Sequence, residues 1–313
     1  MKTVKLLLML LLISFSLSSC TSKEKLSLSP YDSSAYLLEA GNSLADDSFT
    51  FLYLGDTQKE PGSSDGYKIF GENLRQADQN KTSSFMIIGG DLVNDGNDPA
   101  EWEEFFAAGQ EVFSRIPLLP AMGNHDNKKG YKDLFILPQN GPQNAKSEYY
   151  SFDFGSAHFT IGNSNNILRE ENLAWLGQDL AESKANWKIT VIHHPVYSAT
   201  NNSQDAVRAE KFQEILVPVF AEYGVALVLS GHQHLYARTA PLRLDRPDPL
   251  GTVYLTGVGG NKMYEADPQE SFEVLKAGTA VHTFITVNND AIKLETYTYQ
   301  GELIDSYTIR KGE

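Results

Sequence analysis

Polar side chains that can bind a metal ion or carry a proton follow five apolar stretches of the sequence. The five segments are Asp56-Thr57-Gln58, Gly90-Asp91, Gly123-Asn124-His125-Asp126, His193-His194-Pro195 and Gly231-His232-Gln233-His234. Each segment alone has an ordinary explanation, because Asp after Gly is common in turns and Asn or Asp can cap a helix. Ligands of an α/β sheet bind beyond the carboxyl ends of its strands, so five such segments together indicate one functional crevice.

The apolar stretches have the length and composition of β-strands, and stretches of helical period lie between them. The predicted strands are Phe49–Leu54, Phe85–Ile88, Leu118–Met122, Lys188–Ile192, Ala226–Leu229 and Val253–Leu255. The predicted helices are Tyr67–Asn80, Pro99–Ser114, Glu170–Ser183 and Ala206–Glu222. This alternation predicts a sheet packed between helices.

Two stretches break the alternation and predict a second sheet. Tyr149–Asn163 reads as a hairpin that turns near Gly155. Val281–Ile309 contains three strand-like runs, separated by Asn288-Asn289-Asp290 and by Gln300-Gly301. We find no internal repeat and no long linker after residue 48, so a single domain over residues 49–313 is favoured.

The composition excludes several classes of protein. Hydrophobic residues make up 41% of the 313 residues, which predicts a folded core and argues against a disordered or low-complexity chain. With 40 acidic and 26 basic residues the formal net charge is −14, so we expect no binding to nucleic acid and no charge attraction to anionic lipids. Cys20 is the single cysteine, so a metal site must use His, Asp, Asn or Gln.

The first twenty residues have the layout of an export signal. Lys2 and Lys5 precede an apolar run from Leu6 to Leu17, which is shorter than the ~20 residues of a membrane span. The segment Leu17-Ser18-Ser19-Cys20 resembles a bacterial lipobox, which implies cleavage before Cys20 and lipidation of that residue. An ordinary signal peptide with an incidental cysteine is the alternative. We therefore expect a lipoprotein signal peptide over residues 1–19 and a tether and lead-in over residues 20–48.

In order and spacing, the five polar segments resemble the motifs of the calcineurin-like metallophosphoesterase superfamily. The matching residues are Asp56, Asp91, Asn124, His125, Asp126, His193, His232 and His234. The segment from His193 to Arg238, followed by Val253–Gly260, is most similar to the purple acid phosphatase branch. The resemblance implies an α/β fold, a four-layer αββα sandwich of two mixed β-sheets flanked by helices.

This chain departs from the family pattern at two positions. Gln58 stands where many relatives have His, and Asn94 stands where purple acid phosphatases have the tyrosine that binds ferric iron. We therefore do not expect the purple colour that arises from charge transfer between tyrosine and ferric iron.

Two metal ions, of Fe, Mn or Zn, are implied by the resemblance. A metal pair helps a nucleophile to approach an anionic phosphate by neutralising charge and generating hydroxide near neutral pH. The implied ligands of one ion are Asp56, Gln58, Asp91 and His234, and those of the other are Asp91, Asn124, His193 and His232. Asp91 would bridge the two ions. The alternative for Gln58 is a hydrogen bond to a neighbouring loop only.

Catalytic and substrate-binding roles are implied for residues beside these ligands. A leaving alkoxide needs a proton, and imidazole can supply one because it titrates near neutral pH. His125 is the expected acid and Asp126 the group that orients its ring, whereas the alternative is that His125 only packs its loop. Asn124, His125 and His194 are the expected contacts of the phosphate. His194 could equally lie behind the ligands.

The expected function is hydrolysis of small-molecule phosphate monoesters outside the cytoplasm, by an enzyme held at a membrane through its lipid anchor only. The same ligands serve phosphodiesterases of cyclic nucleotides, glycerophosphodiesters or sphingomyelin, so a phosphodiesterase stays open as an alternative. An inactive binding module for a surface partner is the third possibility. It is disfavoured because Gln58 alone departs from the commoner ligand set.

Overall fold

A computed structural model of the chain describes residues 30–34, 48–126, 128–267 and 270–311. The helices that lie wholly within these residues are α1 (Lys68–Asn80), α2 (Pro99–Phe113), α3 (Lys128–Leu134), α4 (Glu170–Glu182) and α5 (Ser203–Tyr223). The strands are β1 (Tyr31–Asp32), β2 (Phe49–Leu54), β3 (Met86–Ile88), β4 (Leu118–Pro120), β5 (Phe135–Ile136), β6 (Tyr150–Phe154), β7 (Ala157–Gly162), β8 (Trp187–Ile192), β9 (Val225–Ser230), β10 (Tyr236–Thr239), β11 (Leu242–Arg243), β12 (Arg246–Pro247), β13 (Val253–Thr256), β14 (Phe272–Lys276), β15 (Val281–Val287), β16 (Ala291–Thr298) and β17 (Leu303–Arg310).

The first large sheet has six strands in the order β17-β16-β15-β2-β3-β4. Strands β2, β3 and β4 run parallel, whereas β15, β16 and β17 form an antiparallel meander on the other side of β2. The parallel strands are continuous apolar runs because both of their faces are covered.

The second large sheet has seven strands in the order β14-β10-β13-β9-β8-β7-β6. Strands β7, β8, β9 and β13 are parallel, and β6, β10 and β14 are antiparallel to their neighbours. Both sheets are therefore mixed, and the expected hairpin is present as β6 and β7.

The two sheets pack face to face through aromatic side chains. Phe51 of the first sheet meets Phe159 of the second edge-on, with ring centroids 5.2 Å apart. Phe85 meets Phe154 at 4.9 Å and Phe159 at 5.4 Å, also edge-on. Burial of one such ring contributes roughly 1.5–3 kcal/mol, so this layer holds the sandwich together.

Helices cover the outer face of each sheet. Helices α1 and α2 pack on each other, and α1 packs on β15 of the first sheet. Helices α4 and α5 pack on each other, and α4 packs on β7 of the second sheet. The layers are helix, sheet, sheet, helix, which confirms the four-layer α/β prediction.

Several boundaries differ from the predictions for physical reasons. Helix α5 begins at Ser203, three residues before the predicted start, because the Asn202 side chain caps it by accepting the backbone N–H groups of Gln204 and Asp205. The structure adds β10 and β14, two antiparallel strands that sequence pattern alone did not predict. Both belong to one edge of the second sheet.

Residues 30–34 lie against the domain. Strand β1 pairs in parallel with β5, and the Tyr31 hydroxyl donates to the carbonyl oxygen of Phe113 at 3.1 Å. This short piece of the predicted tether therefore contacts the fold. The predicted signal peptide, Cys20 and the other residues of 20–29 and 35–47 lie outside the described residues. Among the residues described, no helix has both the length and the apolar character that a membrane crossing requires.

Candidate metal centre

The polar segments all follow strands that end at one edge of the sandwich. Asp56, Asp91 and Asn124 follow β2, β3 and β4, while His193 and His232 follow β8 and β9. An isolated bridge between Asp56 and Val258, just beyond β13, joins the ends of the two sheets. The convergence predicted from strand ends is therefore found, and it involves both sheets.

The backbone is held in an unfavourable region at three of these residues. The φ angle is 51° at Asp91, 70° at His232 and 48° at His234. Residues other than glycine rarely adopt a positive φ. Those that do are often found at functional sites. The turns after β3 and β9 thus aim these side chains at the crevice at a cost in backbone energy.

Glycines leave room for the two carboxylates. A Cβ atom at Gly123 would collide with the carboxylate of Asp91, and one at Gly231 would collide with that of Asp56. Any larger residue at either position would displace a carboxylate from the crevice.

One half of the crevice contains Asp56 and His234. His234 Nε2 lies 3.3 Å from Asp56 Oδ2, and its Nδ1–H donates to the carbonyl oxygen of Lys262 at 3.1 Å. Asp56 Oδ1 accepts the backbone N–H of His232. Asp56 Oδ2 is buried, and no residue that the structure describes gives it a hydrogen bond.

The other half contains Asp91, His193 and Asn124. His193 Nε2 lies 3.3 Å from Asp91 Oδ2 and 3.1 Å from Asn124 Oδ1. His193 Nδ1–H donates to the carbonyl oxygen of Gly89 at 3.0 Å, which leaves Nε2 as the atom that faces the crevice. Asp56, Asp91 and His193 each present one possible ligand atom within 4.8 Å of the others.

Two further histidines stand beside His193. The rings of His194 and His232 are 4.2 Å apart between centroids, and one nitrogen of each lies within 4.8 Å of one on His193. His232 Nε2 lies 2.9 Å from Oδ1 of Asp205 in the first turn of α5. His194 Nδ1 lies 2.8 Å from the Ser164 hydroxyl, whose oxygen also accepts the His194 backbone N–H.

The charges of the crevice favour a bound cation. Burial raises the pKa of Asp56 to about 7 against the opposing effect of His193, and Asp91 raises it further. Burial acts in the same direction on Asp91, but the His193 charge outweighs it and the pKa of Asp91 lies well below its ordinary value. Burial lowers the pKa of His193, yet Asp91 and Asp56 reverse this and raise it to about 9. Two buried carboxylates thus share one proton-bearing imidazole.

The donor set fits a divalent metal centre. Oδ2 of buried Asp56 accepts no hydrogen bond from the described residues, so its lone pairs are free to bind a cation. Buried polar atoms without a partner are rare and indicate that a partner is missing. Carboxylate, imidazole and carboxamide are the ligands expected for Fe, Mn or Zn. Burial also lowers the pKa of His232, and that of His234 to about 3, so both are neutral as ligation requires.

Gln58 is buried beside the Asp91 carboxylate, but its carboxamide is already paired. Its Nε2 donates to Asp91 Oδ2 at 2.9 Å, and its Oε1 accepts the Lys262 ammonium at 2.7 Å. The structure thus brings Gln58 to the site while its oxygen, the atom that would bind a metal, is held by a lysine.

His125 lies at the open side of the crevice. Its Nε2 is 4.0 Å from Asp91 Oδ2, and its side chain is 36% exposed, whereas that of Asp91 is 2% exposed. Its Nδ1–H donates to the carbonyl oxygen of Asn94 at 2.6 Å. The backbone therefore orients the ring, and its Nε2 is left on the side of the Asp91 carboxylate.

Asp126 does not have the expected position beside the His125 ring. Its Oδ1 accepts the backbone N–H of Leu92 and its Oδ2 accepts that of Gly123, each at 2.9 Å. Burial, with the nearby charge of Asp91, raises the pKa of Asp126 to about 7. The prediction that Asp126 orients His125 is corrected: Asp126 ties the loops after β3 and β4 together, and the Asn94 carbonyl orients the ring.

Sequence reasoning missed Asp205, Lys262 and Ser164, each of which contacts a predicted site residue. Asp205 lies one residue before the predicted start of its helix. Lys262 follows Gly259-Gly260 after β13, so the strand-end rule applied to a sixth strand would have reached it. Ser164 follows β7 in the same way.

Comparison with known proteins supports the motif assignment. A family model described as calcineurin-like phosphoesterase matches residues 49–236. Purple acid phosphatase 18 of Arabidopsis thaliana is 25% identical over 230 residues, which cover 67% of this chain and 52% of that protein. Purple acid phosphatase 21 of the same plant is 27% identical over 207 residues, which cover 60% and 47%. The chain spans about half the length of these relatives.

A solved structure shares the fold. The purple acid phosphatase from yellow lupin (Lupinus luteus) seeds aligns with a TM-score of 0.71 at 20% identity, over 84% of this chain and 54% of that one. The family match covers more than half of the chain and includes the strand ends that carry Asp56, Asp91, His193 and His234. Purple acid phosphatases are thus among the proteins to which the chain is similar. The chain belongs to the calcineurin-like phosphoesterase family.

Proposed function

We propose that this chain hydrolyses phosphate monoesters with two metal ions, outside the cytoplasm. The observation that carries the proposal is the buried cluster of Asp56, Asp91 and His193, in which Asp56 Oδ2 has no hydrogen-bond partner among the described residues. The family match and the two groups of candidate ligand residues confirm the expectation of two metal ions.

The ligands divide between the two halves of the crevice. Asp56, Gln58 and His234 would hold one ion, and Asn124, His193 and His232 would hold the other, with Asp91 between them. Bound metal ions would supply positive charge for the phosphate and a nucleophile at neutral pH. His193 can serve only after it loses its proton, because the neutral imidazole is the ligand.

Substrate contacts are assigned to residues on the open side. Asn124 is exposed and His125 is half-buried, so both can meet a phosphate that enters from solvent. Burial and the neighbouring His193 lower the pKa of His194 well below its ordinary value. With its Nδ1 accepting from the Ser164 hydroxyl, neutral His194 has an Nε2–H that can donate to a phosphate oxygen.

His125 is proposed as the general acid. Its Nδ1 is bonded to the Asn94 carbonyl, so a proton on Nε2 is the one that it can transfer to the leaving oxygen. Asp126 is not proposed to take part in this step, because both of its oxygens accept backbone N–H groups.

Export and lipid anchoring are proposed from the N-terminal pattern alone. Lys2, Lys5, the apolar run to Leu17 and Cys20 are the features that support them. The substrate is proposed as a small-molecule phosphate ester. The net charge of −14 supports the expectation that nucleic acid is not the partner.

The test combines metal analysis with a panel of esters. The purified chain without residues 1–19 is loaded with Mn²⁺, Fe²⁺ or Zn²⁺ and assayed with aryl phosphate monoesters and bis-aryl diesters. We expect about two ions per chain and faster hydrolysis of the monoesters. Faster hydrolysis of diesters would select the phosphodiesterase alternative, and a protein that binds no metal would contradict the whole assignment.

A further inference from the structure

The two halves of the crevice differ in how their ligand atoms are occupied. Asp91 Oδ2 and Asn124 Oδ1 lie 3.3 Å and 3.1 Å from His193 Nε2. No described lysine or arginine forms an ion pair or hydrogen bond with these atoms. Around Asp56, the Gln58 oxygen is already bonded to the Lys262 ammonium at 2.7 Å. An ion that takes the Gln58 oxygen as a ligand must therefore displace the ammonium group of Lys262.

Lys262 acts on this half in two opposed ways. Its backbone carbonyl accepts the Nδ1–H of His234 and so turns Nε2 of that ring toward Asp56. Its ammonium group places a positive charge on the same side of the crevice, 2.7 Å from the Gln58 oxygen. The backbone thus prepares a ligand while the side chain repels a second cation.

Gln58 links this lysine to the bridging carboxylate. With its oxygen on Lys262, the carboxamide turns its N–H group to Asp91 Oδ2 at 2.9 Å. Gln58 is fully buried, so rotating the amide to offer oxygen to an ion would break both hydrogen bonds inside the protein. That cost falls on an ion that takes Gln58 as a ligand, and Gln58 is a proposed ligand of the Asp56–His234 position only.

We propose that Lys262, acting through Gln58, makes the Asp56–His234 position the weaker of the two metal positions. The chain then holds one ion tightly beside His193 and a second one more loosely, so ambient metal concentration sets how much of the protein carries both. This inference rests on the proposed function for the existence of the two positions.

The experiment measures metal binding directly, without reference to activity. The chain without residues 1–19 is stripped with a chelator and titrated with Mn²⁺ by equilibrium dialysis with metal analysis. Wild type should show two classes of site whose dissociation constants differ roughly tenfold or more. Lys262→Met removes the charge but keeps most of the stem, and it should tighten the weaker class roughly tenfold while leaving the tighter class unchanged.

Two further variants separate charge from packing. Lys262→Gln keeps a hydrogen-bond donor for Gln58 without the charge, so it should tighten the weaker class as well. Lys276→Met removes an exposed lysine and should change neither class. Thermal unfolding of each variant checks that it is folded.

Each result has one reading. Two equal classes in wild type, or Lys262 variants that fold and leave the weaker class unchanged, would overturn this inference while leaving a dinuclear enzyme intact. A chain that binds no Mn²⁺, Fe²⁺ or Zn²⁺ would overturn the proposed function itself.

Discussion

The Nε2–H of His232 donates to Oδ1 of Asp205 at 2.9 Å. Burial would raise the pKa of Asp205, but the bond from His232 lowers it below the ordinary value, so Asp205 is an ionised acceptor. Nδ1 of His232 is therefore left as the lone pair available to an ion. A carboxylate in this position fixes the tautomer and the orientation of a histidine ligand.

Replacing Asp205 should weaken metal binding on the His193 side. We expect Asp205→Ala to lower the affinity of the tighter site about 10- to 100-fold, which is typical for the loss of such a partner. Equilibrium dialysis measures the affinity. Glu210→Ala, on an exposed position of the same helix, is the matched control and should have no effect. Unchanged affinity in a folded Asp205→Ala protein would show that the contact is structural only.

Asp91→Asn tests the proposed role of Asp91 as the carboxylate shared by the two metal positions. The substitution removes one negative charge between the two halves but keeps the shape of the side chain, and Asn tolerates the positive φ of this position. We expect metal content to fall and hydrolysis to drop to background, with little change in the thermal midpoint. Asp95→Asn, an exposed acid in the same loop, should behave as wild type. Full activity of Asp91→Asn with two ions bound would contradict the assignment.

The site residues that could be predicted from the sequence are those that closely follow a strand. Asp56, Asp91 and His193 each lie within three residues of a parallel strand, and parallel strands of one sheet end at the same edge. The position of each strand follows from a continuous apolar run, as in β2 and β8. The apolar run of a strand and the polar residue that follows it are both visible in a short segment of sequence. The convergence of these residues could therefore be predicted without tertiary information.

The parts that were missed depend on how loops fold back over the site. Asp205 meets His232 across 27 residues of sequence, and Lys262 meets Gln58 across 204. No local pattern encodes such a meeting. Asp126 was misassigned for a related reason: adjacency to His125 suggested contact, but two backbone N–H groups in neighbouring loops needed an acceptor and bound its carboxylate.

His158 lies away from the candidate metal centre and should make the free energy of unfolding depend on pH. Its Nδ1 lies 2.7 Å from Asp153 and its Nε2 lies 3.0 Å from Asp179, so both ring nitrogens donate to carboxylates, as only imidazolium can. Burial lowers the pKa of His158, but the hydrogen bonds to Asp179 and Asp153 outweigh it and raise the pKa above the ordinary value. The stabilisation is complete below the unfolded pKa of ~6.5 and is lost as pH rises through the raised folded pKa.

We expect His158→Gln to cost about 1–3 kcal/mol of unfolding free energy at pH 6 and clearly less at pH 9. Urea unfolding at the two pH values measures this difference. His282→Gln is the control, because burial lowers the pKa of His282 to about 4 and its contribution weakens as pH falls. Its cost should therefore be no larger at pH 6 than at pH 9. An equal cost of His158→Gln at both values would show that the ring is neutral in the folded state.

Cys20→Ser tests the proposed lipid anchor. Lipidation requires the thiol, so the substitution should move the full-length chain, expressed in a bacterial host, from the membrane fraction to the soluble extract. Ser22→Ala is the control and should leave the partitioning unchanged. Fractionation followed by detection of the chain provides the measurement. A Cys20→Ser protein that remains with membranes would show that another feature holds it there.

His125→Asn tests the general acid through the leaving group. A proton is needed only where the leaving oxygen accumulates charge, so the loss should be roughly 10²- to 10⁴-fold for esters of alcohols with high pKa. Nitrophenyl esters, whose anions leave unaided, should be hydrolysed almost as fast as by wild type. Metal content should stay constant, because the His125 ring is bonded to the Asn94 carbonyl and lies outside the proposed ligand set.

The measurement is the ratio of wild-type to His125→Asn activity across leaving groups of rising pKa, with metal stoichiometry determined on the same samples. A metal ligand would give a different pattern, since its loss would slow all esters alike and lower the metal content. A ratio that stays flat while both ions remain bound would remove His125 from proton transfer. The acid would then be sought at His194, whose Nδ1 is held by Ser164 and whose ring centroid lies 4.2 Å from that of His232.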